Sequence, residues 1–159
     1  MNKSLLDIPP EERYLEDYTA GSVYEFGSAV VEEKEIIEFA RRYDPQPFHI
    51  DPVAARATQF GGVVASGWHT AGMAMKLLAE NYLPRGSSLG SPGVDNLRWH
   101  RPVRPGDILS VRVTIVETKP SQSKPDRGLL RSFVEVLNQN HEVVTSWRGM
   151  LVLLRRDKP

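Results

Sequence analysis

The sequence predicts an α+β fold in which one antiparallel sheet curls around one central helix. Three observations predict it. Segments with helical spacing come early and four strand-like segments close the chain, an order that groups helices and strands apart. The segment Ser66–Leu83, SGWHTAGMAMKLLAENYL, is apolar or small at nearly every position from Trp68 to Leu78, with His69, Thr70 and Lys76 as the exceptions. A helix apolar over most of its surface is a buried helix. The closing segments alternate apolar and polar residues, as in Val111-Arg112-Val113-Thr114-Ile115, the period of a strand with one face on a core.

The elements follow in order. Residues 1–20 are polar, contain Pro9-Pro10, and read as an extended lead-in to a single domain over residues 21–156. Ser22–Val31 has strand character. Glu33–Tyr43 shifts to helical spacing, with Ile36, Ile37, Phe39, Ala40 and Tyr43 on one face. That helix must stop at Asp44, because Pro45 disfavours helical geometry in the residue before it. Asp51-Pro52 opens a short helix to about Thr58, Asp as the cap and Pro at the first helical position. Gly61-Gly62 punctuates the chain. Ser66 is suited to cap the central helix, and Pro84 ends it. Gly93–His100, Ile108–Lys119, Leu129–Asn138 and Val143–Arg155 are then expected as strands, joined by turns at Pro105-Gly106-Asp107 and Asn138–His141 and by the polar loop Pro120–Gly128.

A chain of 159 residues suits one domain and can bury a core without staples. Twenty basic and twenty acidic residues balance to zero, which argues against a general nucleic-acid binder. The absence of cysteine excludes disulfides, thiolate chemistry and cysteine-based zinc sites, and the four scattered histidines lack a metal-ligand spacing. No stretch approaches the roughly 18 apolar residues of a membrane span, and MNKSLLDIPPEER holds no apolar run of signal-peptide length. A soluble, cytoplasmic protein without metal or cofactor is expected.

The segment Tyr43-Asp44-Pro45-Gln46-Pro47-Phe48-His49-Ile50-Asp51 carries the chemistry. On a continuous helix, residues five apart would stand about 140° around the axis and would not converge. Two prolines break the helix, and a stiff bent loop can aim Asp44 and His49 at one point, as a catalytic pair requires. Asp44 also sits at a helix C-terminus, where the dipole disfavours a carboxylate. Spacing alone leaves the bland reading open, in which Asp44 ends a helix and His49 is structural. Asp51 reads as a cap.

Asp44-Pro45-Gln46-Pro47-Phe48-His49-Ile50-Asp51, with Phe60-Gly61-Gly62-Val63-Val64-Ala65-Ser66-Gly67 and Trp99-His100-Arg101-Pro102-Val103-Arg104-Pro105-Gly106-Asp107, resembles the MaoC-like dehydratase family. The resemblance runs from about Tyr24 to Leu154. It implies a hotdog fold, a long helix wrapped by an antiparallel sheet, and a homodimer or dimer-based oligomer. It further implies an R-specific enoyl-CoA hydratase: Asp44 and His49 activate water, and Gly67 supplies an oxyanion-hole amide. The family has Asn where this chain has Gln46, one methylene longer, which bears on the acyl pocket more than on the acid–base pair.

Around that core, Gln46 and Ser66 are candidates to touch the substrate, and Lys124 and Arg127 to clamp the phosphates of CoA. A solvated hairpin is the bland alternative for the last two. His69 reads as a packed helix histidine, His100 as part of a solvated strand edge, His141 as a turn residue, and Met73 and Met75 as packing. The function expected is hydration of an enoyl thioester to a 3-hydroxyacyl thioester. A thioesterase is the first alternative, weakened because the central helix has no acid before Glu80. A non-catalytic acyl-CoA-binding protein is the second.

Overall fold

Alternation in the closing segments translates directly into a core. In the computed structural model, which describes residues 4–156, Leu109, Val111, Val113 and Ile115 of β3 (Ile108–Pro120) are all fully buried on one face. They meet Leu130, Val134 and Val136 of β4 (Arg127–Leu137) and Trp147 and Leu153 of β5 (Val143–Leu154). With β1 (Val23–Val30) and β2 (Val94–Trp99) these form one five-stranded antiparallel sheet in the order β1-β3-β4-β5-β2. The long strands β3, β4 and β5 fill the middle, and the two edges are β1 and β2.

Both edges are bulged. The register of β1 shifts between Phe26 and Ala29, and that of β2 between Asp95 and Arg98. A bulge bends its strand and increases the local twist. In β1 the bulge contains Gly27 at φ +82°, where a Cβ would stand 2.9 Å from a methyl of Leu77. Glycine there lets the edge fold over the helix.

That helix is α4 (Gly67–Asn81), capped by the Ser66 hydroxyl, which accepts from the Trp68 amide at 3.3 Å. Ala74, Leu77 and Leu78 pack into the sheet. The opposite side is open in the single chain: Trp68 is 60% and Met75 47% exposed. An all-round apolar helix is thus half-covered, because a five-stranded sheet curls around only part of it.

Before α4 come α1 (Glu33–Tyr43), a four-residue turn α2 (Pro47–Ile50) and α3 (Pro52–Arg56). Each element expected from the sequence lies within two residues of its place; α2 is additional. Pro47 starts it, fitting the first helical position as Pro52 does in α3.

The lead-in differs from its expected extended form. It folds into three 3₁₀ turns, Leu5–Asp7, Pro10–Glu12 and Leu15–Asp17, whose Leu5 and Leu15, with Tyr18, join the core. Arg13 is 2% exposed and donates to the carbonyls of Ile8, Asn81 and Tyr82 at 2.8, 2.7 and 3.2 Å. The last two are carbonyls at the C-terminal end of α4, the negative end of the helix dipole.

Candidate active site

Chain geometry brings Asp44 and His49 together in three steps. The Asp44 amide still donates to Ala40 of α1 at 2.8 Å, but its φ of −152° and ψ of 68° leave the helix, as Pro45 demands. Gln46 is extended, and Pro47 starts the turn α2. That turn carries His49 back, so that its Nε2 lies 3.3 Å from Asp44 Oδ2.

The two partners are held differently. His49 is almost fully buried, and its Nδ1 lies 2.6 Å from the carbonyl oxygen of Val64. A carbonyl only accepts, so Nδ1 carries a hydrogen, and whenever the ring is neutral its lone pair is on Nε2, the nitrogen beside Asp44. Val64 is itself anchored, its amide donating to Phe48 O at 3.2 Å. The Asp44 side chain is 19% exposed. Gln46 Nε2 donates to its Oδ1 at 2.7 Å, and the fully buried Ser66 hydroxyl donates to it as well. Burial works to raise the Asp44 pKa, but the hydrogen bonds from Ser66 and Gln46 and the charge of His49 outweigh it. The carboxyl is held below the usual carboxylate range and is anionic near neutrality.

Gly67 completes the arrangement from the start of α4. The first amides of a helix have no intrahelical acceptor, and no described residue accepts from the Gly67 N–H. A Cβ on Gly67 would stand 2.2, 2.3 and 2.7 Å from three indole atoms of Trp99, so the glycine is required by a close approach. Asp44, Gln46, His49 and Gly67 line one cleft of about 460 Å³, walled by Phe60, Val64, Trp68, Trp99 and Val103 among others. Asp44, His49 and a helix-start amide without an acceptor thus border one aromatic-walled space, a set of groups able to handle water and a developing anion.

The remaining expected site residues divide. Gln46 lines the cleft with its amide on Asp44, and Ser66 lies beneath, bonded to Asp44. Lys124 and Arg127 are not brought to the cleft of this chain. Lys124 lies in the β3–β4 connection and Arg127 opens β4, both at the far end of the 13-residue β3, which starts at Ile108, five residues past the cleft-lining Val103, and spans about 40 Å at 3.3 Å per residue. Arg127 is held there by Asp126, with bonds of 2.9 and 2.8 Å.

His69 is packed as expected: buried, stacked on Phe39 at 4.8 Å, and with a pKa lowered by burial. Its Nδ1 has no hydrogen-bond partner among the described residues. His141 turns the β4–β5 connection at φ 57°, beside Glu25. His100 is exposed just past the edge strand β2, as expected. It contributes to the cleft, and its Nε2 lies 2.7 Å from Ser146 Oγ. Met73 packs on the core, whereas Met75 is exposed. Trp99 was legible only as part of a strand; its place over Gly67 depends on how the edge strand meets the helix. Among the described residues, no group of three or more His, Cys, Asp or Glu side chains could hold a metal ion.

Comparison with known proteins gives the family of the chain and its fold. The family model described as a MaoC-like domain matches residues 17–130. The solved MaoC-like dehydratase from Rhodospirillum rubrum is 41% identical, covers 91% of this chain and 99% of its own, and superposes with a TM-score of 0.84. The 3-hydroxybutyryl-CoA dehydratase of Methylorubrum extorquens is 31% identical over 122 residues, 72% of this chain and 73% of that protein. The solved R-hydratase PhaJ1 from Pseudomonas aeruginosa is 25% identical, covers 91% of this chain and 86% of its own, and has a TM-score of 0.70. The fold is a hotdog, and the chain belongs to the MaoC-like dehydratase family.

Proposed function

We propose that the protein adds water reversibly to a trans-2-enoyl-CoA, giving an R-3-hydroxyacyl-CoA. The carrying observation is the His49–Asp44 pair. The Val64 carbonyl holds the Nδ1 hydrogen of His49, which leaves Nε2 as an acceptor 3.3 Å from a carboxylate that Ser66 and Gln46 keep ionised. A water between the two can give a hydrogen to each. His49 takes one proton as the water oxygen bonds to C3, while Asp44 holds the other hydrogen. The electron pair of the C2–C3 double bond moves towards C1, and the pair of the C1–O double bond moves onto the thioester oxygen. The Gly67 amide stabilises that oxygen. The enolate then collapses, and C2 takes the proton from His49, so that one water is added and the pair is reset. Dehydration is the reverse.

The names of the Methylorubrum and Pseudomonas relatives support the thioester substrate and the R configuration. The same reading makes the enzyme part of cytoplasmic fatty acyl metabolism. No described helix is long and apolar enough to cross a membrane. It also predicts a homodimer: the exposed Trp68, Met75 and Val94 and the free edge of β2 form a surface that a second copy can cover. The test is a panel of enoyl-CoA thioesters of increasing acyl length, followed at the conjugated-enoyl absorbance, with chiral analysis of the product. Loss of that absorbance with R product is expected. Release of free CoA without loss of the enoyl group would overturn the proposal in favour of a thioesterase.

A further inference from the structure

Gly67 offers one hydrogen-bond donor, whereas an enolate oxygen can accept two or more. We propose that Trp99 is a further catalytic residue, its indole Nε1–H giving the second hydrogen bond to the thioester oxygen. This rests on the hydratase reading above.

The distance argument uses Gly67 as a ruler. Trp99 Nε1 lies 2.3 Å from the point where a Gly67 Cβ would stand. Covalent geometry puts a Cβ about 2.5 Å from its own backbone nitrogen, so the two nitrogens are at most about 5 Å apart. One oxygen at about 2.9 Å from each of two donors can bridge nitrogens up to about 5.8 Å apart. A single thioester oxygen can therefore reach both.

Availability and placement agree. The indole nitrogen donates to no described residue, and the ring lines the same cleft as Asp44, His49 and Gly67. Trp99 is 48% exposed and makes an edge contact with Trp68, centroids 5.3 Å apart. Its strand is anchored by pairing with Thr145 of β5. An indole N–H only donates and does not titrate. It would raise the rate without adding a limb to the pH profile, which separates its part from that of Asp44 and His49.

The rival role is a simple wall, and two variants separate the roles. Trp99→Phe keeps an aromatic wall and removes the donor; Trp99→Leu removes both. If Trp99 donates, both variants lose about a hundredfold in kcat, as for a lost oxyanion donor, with KM nearly unchanged and the pH limbs in place. If it is a wall, Trp99→Phe keeps near-normal kcat and only Trp99→Leu loses activity, which overturns the proposal. A second measurement does not need turnover: the absorbance of bound furylacryloyl-CoA, which shifts to the red when its thioester carbonyl is polarised. The wild type is expected to shift it, and Trp99→Phe to shift it less. An equal shift in both, or none in the wild type, overturns the proposal. Should the wild type hydrate no enoyl-CoA, the hydratase reading fails on its own, and the red shift decides the role of Trp99.

Discussion

The two ends of α4 meet their unpaired backbone groups in opposite ways. At the N-terminus the Ser66 hydroxyl takes the Trp68 amide and the Gly67 amide is left facing a cleft. At the C-terminus the buried guanidinium of Arg13 takes the carbonyls of Asn81 and Tyr82, and the Tyr18 hydroxyl donates to Tyr82 O as well. Every helix has such groups at both ends. Sealing them favours stability, and leaving a donor open makes a place for negative charge. One helix therefore separates the two tasks by its length, and changes at its two ends should separate in measurement.

The largest effect is expected beside the open end. Asp44→Asn and His49→Ala should each lower hydratase turnover by about a hundred- to ten-thousand-fold, the range for general acid–base groups, while the protein stays folded by circular dichroism. Near wild-type turnover in either folded variant would remove the pair from the mechanism.

The sharpest form of the comparison sets Gly67→Val against Arg13→Met. The valine side chain would displace Trp99 and crowd the free amide, so turnover per folded molecule should fall by about a hundredfold or more. Arg13→Met strips three carbonyls, those of Ile8, Asn81 and Tyr82, of a charged donor. It should cost about 2–3 kcal/mol in urea unfolding and leave turnover per folded molecule unchanged. A Gly67→Val protein that loses stability while each folded molecule keeps its rate, or an Arg13→Met protein that is folded but slow, would break the separation.

The smallest effect concerns Gln46. Its amide is one of the hydrogen bonds that lower the Asp44 pKa. A carboxyl whose folded pKa lies below its unfolded value adds stability above the unfolded pKa, and that stability is lost as pH falls through the folded one. Gln46→Leu should raise the folded pKa, reduce that added stability, and make its loss complete at a less acidic pH. An NMR titration of the Asp44 carboxyl checks the direction, and an unmoved midpoint would take Gln46 out of the account.

What was legible in the sequence is what local chemistry decides. Pro45 stops α1 at Asp44, Asp51-Pro52 opens α3, and Ser66 caps α4, whereas the turn α2 that returns His49 towards Asp44 was read only as a bent loop. The alternation in β3 could be read because one face of that strand is buried along most of its length. The rest depends on partners distant in sequence. A polar lead-in gives no hint that Arg13 is buried, because its acceptors lie 68 and 69 residues away. Trp99 over Gly67 needs the meeting of a bulged edge strand with the helix. Lys124 and Arg127 looked suited to phosphate by composition, but the length of β3 carries them away from the cleft of their own chain. Charge type is readable one residue at a time; where a strand delivers it is not.

The Arg13 bonds also bear on the order in which the molecule can assemble. A contact spanning 68 residues closes a long loop, and such closures are entropically costly and slow. During synthesis the arm leaves the ribosome before α4, yet its acceptors on that helix do not exist until the end of α4 has been made. The arm must wait, exposing Leu5, Leu15 and Tyr18 until the helix and the sheet beneath it are in place. A segment made before the central helix is thereby committed to dock after it, and the C-terminal end of that helix stays open to water until it does.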